Sequence, residues 1–322
     1  MPGGGASERK GAAAAPPSLP LVSVVVPAFK HERYITEALD SIRKDGYPNV
    51  EVIIIDDGSP DGTWQRIDAW VAANTGTLAI QAMRQENAGL TRTLNRLLAM
   101  ASGTYVAMLT SDDRLHSGGI ARRVAFLEAN PGLSAVFGDC RVVDTHGAVI
   151  AEHGVGFGDT RAARRRLLAD PAAEIVSRWG VQGPVILYRR DAILAMGGYS
   201  EDLIIEDWDL YLRLASRGEI SFLDTVVADY RWHGANTVAL AESTVKIAEE
   251  MRRVAWRSRR LFRGHLYLEL VHESAAWAAR SAALTRRWPA WLLWKVASVT
   301  LKLLAMAVPR RNSDQVGSSG GA

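Results

Sequence analysis

Three strongly apolar runs, each closed by a polar loop, set the terms on which this chain folds. Val22-Ser23-Val24-Val25-Val26 is stopped by Pro27, and Val50-Glu51-Val52-Ile53-Ile54-Ile55 by Asp56-Asp57-Gly58-Ser59. Tyr105-Val106-Ala107-Met108-Leu109 runs into Thr110-Ser111-Asp112-Asp113. Runs so apolar read as strands buried on both faces. Helical spacing fills the gaps: Tyr34-Ile35 through Leu39 to Ile42, ending at Gly46, then about 61–73 and 89–101. Another strand is expected near 78–83, and a helix over 117–129 leads into Ser134-Ala135-Val136-Phe137-Gly138. This alternation predicts an α/β fold, a mostly parallel central sheet flanked by helices. Right-handed crossovers place the strand-end loops on one rim. Those loops carry Pro27-Ala28-Phe29, Asp56-Asp57-Gly58-Ser59 and Thr110-Ser111-Asp112-Asp113.

Beyond residue 140 the pattern loosens. Val185–Tyr188 reads as a strand, 206–217 as a helix, and 220–232 as two short strands. From about 240 onward the spacing is helical. Residues 1–20 are rich in Gly, Ala, Pro and Ser with no apolar core, so they read as a disordered tail rather than a secretory signal, as does 312–322. The single cysteine, Cys140, excludes an internal disulfide and a cysteine-rich zinc site, and fits a reducing, cytoplasmic setting. No Gly-x-Gly-x-x-Gly follows the first strand and no Walker A run is present, which argues against a Rossmann dinucleotide site and a P-loop ATPase.

Paired carboxylates at a strand's carboxyl end sit where open α/β sheets bind ligands. Oxygen ligands there suit Mg2+ or Mn2+ sharing its shell with a phosphate. Asp112 and Asp113 also read as a polar loop that caps the next helix.

In order and spacing, five segments resemble glycosyltransferase family 2, the nucleotide-sugar transferases of the A-type fold. They are Val24-Val25-Val26-Pro27-Ala28-Phe29, Ile54-Ile55-Asp56-Asp57-Gly58-Ser59, Asn87-Ala88-Gly89-Leu90, Ser111-Asp112-Asp113 and Glu206-Asp207-Trp208-Asp209-Leu210. The resemblance covers about residues 21–236. It implies a metal-dependent, inverting transfer from a nucleoside-diphosphate sugar, a uridine one, to a hydroxyl of a glycan or lipid-linked acceptor. It also implies roles. Asp112, with Asp113 beside it, would hold Mg2+ or Mn2+, joined by His233. Asp57 would accept a hydrogen bond from the base while Asp56 holds the loop. Pro27, Ala28, Glu32, Arg84 and Ser111 would line the nucleotide pocket. Asp207 would be the general base, and Gln182, Glu206 and Trp208 would line the acceptor side, with Trp179 and Trp208 as sugar-stacking candidates.

Each role has a plainer rival. Asp57 before Gly58 also makes an Asx turn. Acids at 206 and 207 also favour a helix N-terminus, Asp209 and Arg213 make an i,i+4 pair, and a helix-borne Trp is by default core. The family more often has an acid where Thr110 stands, which leaves the division of labour between Asp112 and Asp113 open. Thr110 also motivates a silent nucleotide-sugar-binding domain as a rival function.

The expected organisation is a catalytic domain over 21–239, with a nucleotide-binding half at about 21–115 and an acceptor half at about 116–239, followed by a basic helical extension over 240–311. Residues 246–311 hold 14 Lys or Arg against 4 Asp or Glu, whereas the rest of the chain holds 24 against 31. That asymmetry concerns partners. Within it 288–308 is nearly all apolar, with Lys295, Ser298 and Lys302 on one narrow stripe and arginine pairs at 286–287 and 310–311. Lysines near the centre of a bilayer span are costly, so an interfacial helix is expected through 286–311; packing or dimerisation is the alternative. The basic extension also suits nucleic acid, but no recognised binding motif is present and the acidic rim would go unused.

Overall fold

The computed structural model describes residues 19–156, 160–178, 184–233 and 244–309. Strands β1 (Val22–Ala28), β2 (Val50–Asp56), β3 (Ala79–Arg84) and β4 (Tyr105–Met108) alternate with helices α1 (Ile35–Asp45), α2 (Thr63–Asn74) and α3 (Leu90–Met100). Next come β5 (Arg114–Leu115), α4 (Gly119–Ala129), β6 (Ala135–Val143), β7 (Val149–Ala151), α5 (Thr160–Ala169) and α6 (Pro171–Arg178). They lead to β8 (Ile186–Arg189), α7 (Arg190–Ala195), α8 (Asp207–Ser216) and β9 (Ile220–Arg231). Helices α9 (Thr244–Ser258), α10 (Gly264–Leu284) and α11 (Trp288–Ala307) close the order.

Among the described residues one sheet has the order β3-β2-β1-β4-β8-β6-β9-β5, with β7 beside β6. Strands β3, β2, β1 and β4 are mutually parallel. Strand β8 enters antiparallel between β4 and β6, and β9 runs parallel to β6. The expected mostly parallel sheet with helical cover is therefore present.

Strand periodicity explains the layering. Val24, Val26, Val52 and Ile54 pack on one face with Ile35, Leu39, Ile42, Ile67 and Trp70 of α1 and α2. Val25, Ile53 and Ile55 point the other way, toward Leu94, Leu97 and Leu98 of α3. Strand β1 runs through Pro27 rather than stopping before it. The Val25 carbonyl accepts from Leu109 N, just past the end of β4. Pro27 lies two residues further on, so its missing N–H faces a side where the neighbour has ended.

Residues 220–231 form one strand where two were expected. The chain absorbs register shifts opposite Phe137–Cys140 as bulges, bending without breaking. Strand β6 outruns its apolar start because Asp139 and Arg141 are accommodated mid-strand. The basic extension is helical, with α10 against α9 and α6, and α11 laid along α10. Trp179, Gln182 and the 310–311 arginine pair lie outside the described residues.

Candidate active site

The rim is built by loops that hold one another. Asp57 N donates to the Ala28 carbonyl at 2.8 Å, Lys30 N to Ser59 Oγ at 2.9 Å and His31 N to Thr63 Oγ1 at 2.9 Å. Lys30 adopts a left-handed φ of 57°, uncommon for a residue with a Cβ. Immediately after it, the His31 carbonyl accepts from Tyr34 N and Ile35 N at the start of α1. His31 Nδ1 lies 2.7 Å from Ser111 Oγ, so the β1 and β4 loops meet through that pair.

At this junction His31, Asp112 and His233 each offer a ligand atom, all within 4.8 Å of one another. His233 Nε2 is 2.9 Å from Asp112 Oδ2 and His31 Nε2 is 3.8 Å from the same oxygen. Burial alone would raise the Asp112 carboxyl. The His233 hydrogen bond and the two imidazoles outweigh it and hold Asp112 below the usual carboxylate range. Burial lowers His31 despite the pull of Asp112. A carboxylate held low beside two imidazole nitrogens is a donor set for a divalent cation.

An aromatic and cationic shell supports it. Tyr34 stacks on His233 with ring centres 5.5 Å apart and 19° between planes, and the Arg231 guanidinium lies 4.8 Å from the Tyr34 ring centre. Arg231 Nε donates to the Asp112 carbonyl at 2.8 Å and Nη2 to Glu37 Oε2 at 2.6 Å. Arg231 thereby positions Asp112 and the end of β9 together.

Asp113 does not join His31, Asp112 and His233. Its Oδ1 accepts from Arg231 N at 2.7 Å, and Thr110 Oγ1 donates to its Oδ2. Burial, then the charge of Asp112, pushes its carboxyl well above the usual range. With both oxygens tied to its own chain, Asp113 is a loop tie here and lies outside the group of His31, Asp112 and His233, where it was expected as a second metal ligand. Thr110 serves that tie in place of an acid.

The β2 loop also divides its labour. Asp57 Oδ1 accepts from Gln85 Nε2 at 2.7 Å and Ala88 N at 2.8 Å, and Oδ2 from Gly89 N at 2.9 Å. Asp57 thus does the loop-holding expected of Asp56. Asp56 is fully buried and accepts from Ser59 N at 3.3 Å, while Arg84 Nε stands 3.1 Å from its Oδ2 without hydrogen-bond alignment. Gly58, at φ 75°, packs so closely that a Cβ would stand 2.8 Å from Asn87 N. Glu32 is solvent-facing and accepts from Gly62 N at 3.1 Å. Pro27 and Ala28 are buried at the end of β1.

Asp207 opens α8, and its Oδ1 accepts from Trp208 N at 2.6 Å. Burial, then the charges of Asp113 and Asp112 and less strongly that of Asp207, raise the Tyr230 phenol. Burial, opposed by its own backbone and aided by Glu250, pushes the Glu206 carboxyl up to about 7. Trp208 is 1% exposed and donates its indole N–H to the Ile175 carbonyl at 2.9 Å. It is core, and its expected place on the acceptor side is corrected.

The basic extension reaches this segment. Glu250 of α9 accepts from Ile204 N at 2.9 Å and Ile205 N at 2.6 Å. Arg257 donates to Asp209 Oδ1 at 2.7 Å, while Ser200 and Arg213 hold Asp209 Oδ2. The expected Asp209–Arg213 surface pair is a buried-acid network. Sequence reasoning missed His31, Glu250 and Arg257. His31 carried a signal, being a ligand-type residue three positions beyond Ala28 on the same rim as Asp112; Glu250 and Arg257 carried none.

Residues 23–192 match the family described as glycosyl transferase family 2. An uncharacterized protein of Mycobacterium tuberculosis is 31% identical over 67% of this chain and 62% of its own length. The chondroitin synthase of Pasteurella multocida is 26% identical over 68% of this chain and 21% of its own length. The chain therefore spans less than two thirds of these relatives. Among solved structures, a mannosyltransferase from Pyrobaculum calidifontis in complex with GDP-Man and Mn2+ superposes with a TM-score of 0.58 at 20% identity, covering 92% of this chain and 88% of the other. S. aureus TarS in complex with UDP-GlcNAc gives 0.62 at 19% identity, covering 87% and 81%. At such identities these likenesses establish the fold.

Proposed function

The chain belongs to glycosyl transferase family 2, and from that membership and its site we propose that it transfers a sugar, with inversion, from a nucleoside-diphosphate donor to an acceptor hydroxyl. The observation that carries this reading is the convergence of His31, Asp112 and His233 at the rim where the β1, β2 and β4 loops meet. Residues 21–239 are the proposed catalytic domain. Asp112, His31 and His233 are the proposed cation ligands, and a Mn2+ or Mg2+ held by them would supply positive charge against the departing diphosphate. Two imidazoles favour Mn2+ over the harder Mg2+. Ser111 orients His31, and Arg231 and Tyr34 orient Asp112 and His233.

Asp207 is the proposed general base. The acceptor oxygen bonds to the anomeric carbon, the bond from that carbon to the diphosphate oxygen breaks, and the acceptor proton passes to the Asp207 carboxylate. Only one base is needed and no covalent partner. Glu206, its carboxyl pushed up to about 7 by burial, flanks it. Arg84 lines the proposed nucleotide pocket, with Asp57 and Gly58 shaping its wall and the buried Pro27, Ala28 and Asp56 supporting it from behind. A uridine donor is what the motif resemblance implies. The acceptor is a glycan or lipid-carried hydroxyl, and the setting is the cytoplasmic face of the cell membrane.

The test is a panel of nucleotide sugars with Mn2+ or Mg2+, scored for release of nucleoside diphosphate. Metal-stimulated release from one donor supports the reading; donor binding without release supports the silent-domain alternative.

A further inference from the structure

Helix α11 is built inside out. Its Ser298 and Lys302 turn inward, and its contacts to α10 are polar: Lys302 Nζ donates to Glu269 Oε2 at 2.7 Å, His272 Nδ1 lies 2.8 Å from the Ser298 carbonyl and His265 Nδ1 lies 2.8 Å from the Ala305 carbonyl. Only Ser298 and Ala305 are buried. The outer face is apolar and open, with Leu293 73% and Met306 71% exposed, and Leu292, Val296, Val299 and Leu303 beside them. A helix on a water-facing surface has the opposite arrangement. Trp288 and Trp294 are exposed at its first turns, where Arg286, Arg287 and Lys295 are exposed too. Trp and cationic side chains in that combination suit headgroup depth.

Charge decides between occupants. The segment 246–311 holds 14 Lys or Arg against 4 Asp or Glu, so two copies meeting through it would set like charges together, whereas an anionic bilayer complements it. Geometry decides orientation. The three polar contacts run from His265–Ala305 to His272–Ser298 and fasten α11 along α10, while α10 is packed on α9 and α6 of the body. A helix so fastened lies beside the protein rather than projecting from it. We infer that the outer face of α11 is a docking surface for an anionic lipid bilayer, with the helix lying in the plane of the membrane surface. This rests on the proposed membrane setting and not on the proposed chemistry.

The test uses the full chain and vesicles of phosphatidylcholine with or without phosphatidylglycerol, read by co-sedimentation and tryptophan fluorescence. Expected are binding to the anionic vesicles that weakens with salt, a blue shift on binding, and release from vesicles by alkaline carbonate. Leu293→Asp with Met306→Asp should weaken vesicle binding at least ~10-fold. Both side chains are solvent-facing, and retained binding of Mn2+ with a nucleoside diphosphate would show that the variant is folded. Arg286→Glu with Arg287→Glu should remove the preference for phosphatidylglycerol. The inference is overturned if wild-type protein ignores both vesicles or if the Leu293/Met306 variant binds them equally. Carbonate-resistant retention, or a dimer abolished by that variant, would overturn it too. Loss of vesicle binding with nucleotide binding intact is distinct from failure of the transferase reading.

Discussion

At the scale of single residues, the rim treats its two neighbouring acids differently. The Asp112 carboxyl is held low beside two imidazoles, while that of Asp113, pushed high by burial and by Asp112, straps Thr110 to Arg231. His31→Ala should therefore weaken Mn2+ affinity at least ~10-fold, measured by electron paramagnetic resonance of free Mn2+. Unchanged affinity would remove His31 from the ligand set. Asp207→Asn should keep donor binding while turnover falls at least ~100-fold, as for loss of a general base; near-normal turnover would dismiss Asp207 from that role. Glu206 supplies a stability signature. Its carboxyl is raised from 4.5 to about 7 in the folded protein. Between those values the folded state holds a proton that the unfolded chain has lost, so stability falls as pH rises through that window and then levels. Thermal melts of Glu206→Gln from roughly pH 5 to pH 8 should show a flatter profile than wild type.

At the scale of elements, the extension holds the segment that carries the proposed base. Glu250 holds the backbone at 204–205 and Arg257 holds Asp209, on either side of Asp207. Glu250→Gln keeps an acceptor but loses the charge. It should lower kcat ~10-fold while leaving Mn2+ and nucleotide affinity within ~2-fold, at a stability cost of about 1–2 kcal/mol. Equal losses in binding and turnover would mean general unfolding instead. The parallel half of the sheet was legible because β1, β2 and β4 are short, apolar on both faces and punctuated by polar loops. Strand β9 was not, because a bulged strand breaks the period of two that reveals it. Trp208 was ambiguous in sequence, since a Trp on a helix reads alike as core or platform; the Ile175 carbonyl decides it.

At the scale of the whole molecule, the basic extension is tied to the segment at 204–209 through Glu250 and Arg257. The place of Asp112 on the rim was legible from its strand-end position, and Asp207 remains a proposal from motif order. The pairing of His31 with His233 was not, because 202 positions separate them in the chain and only the fold brings β1 and β9 to one rim. Likewise the stripe of Lys295, Ser298 and Lys302 was visible, but not that Ser298 and Lys302 meet α10 and so leave the apolar face outside. The most direct test of the central claim is calorimetric titration of UDP and of GDP into the protein with Mn2+ or with chelator, for wild type and Asp112→Ala. One of the two nucleotides should bind wild type at least ~10-fold tighter with Mn2+, and that gain should vanish in Asp112→Ala. Equal affinity with and without Mn2+ in wild type, or a gain that survives the loss of Asp112, would contradict it.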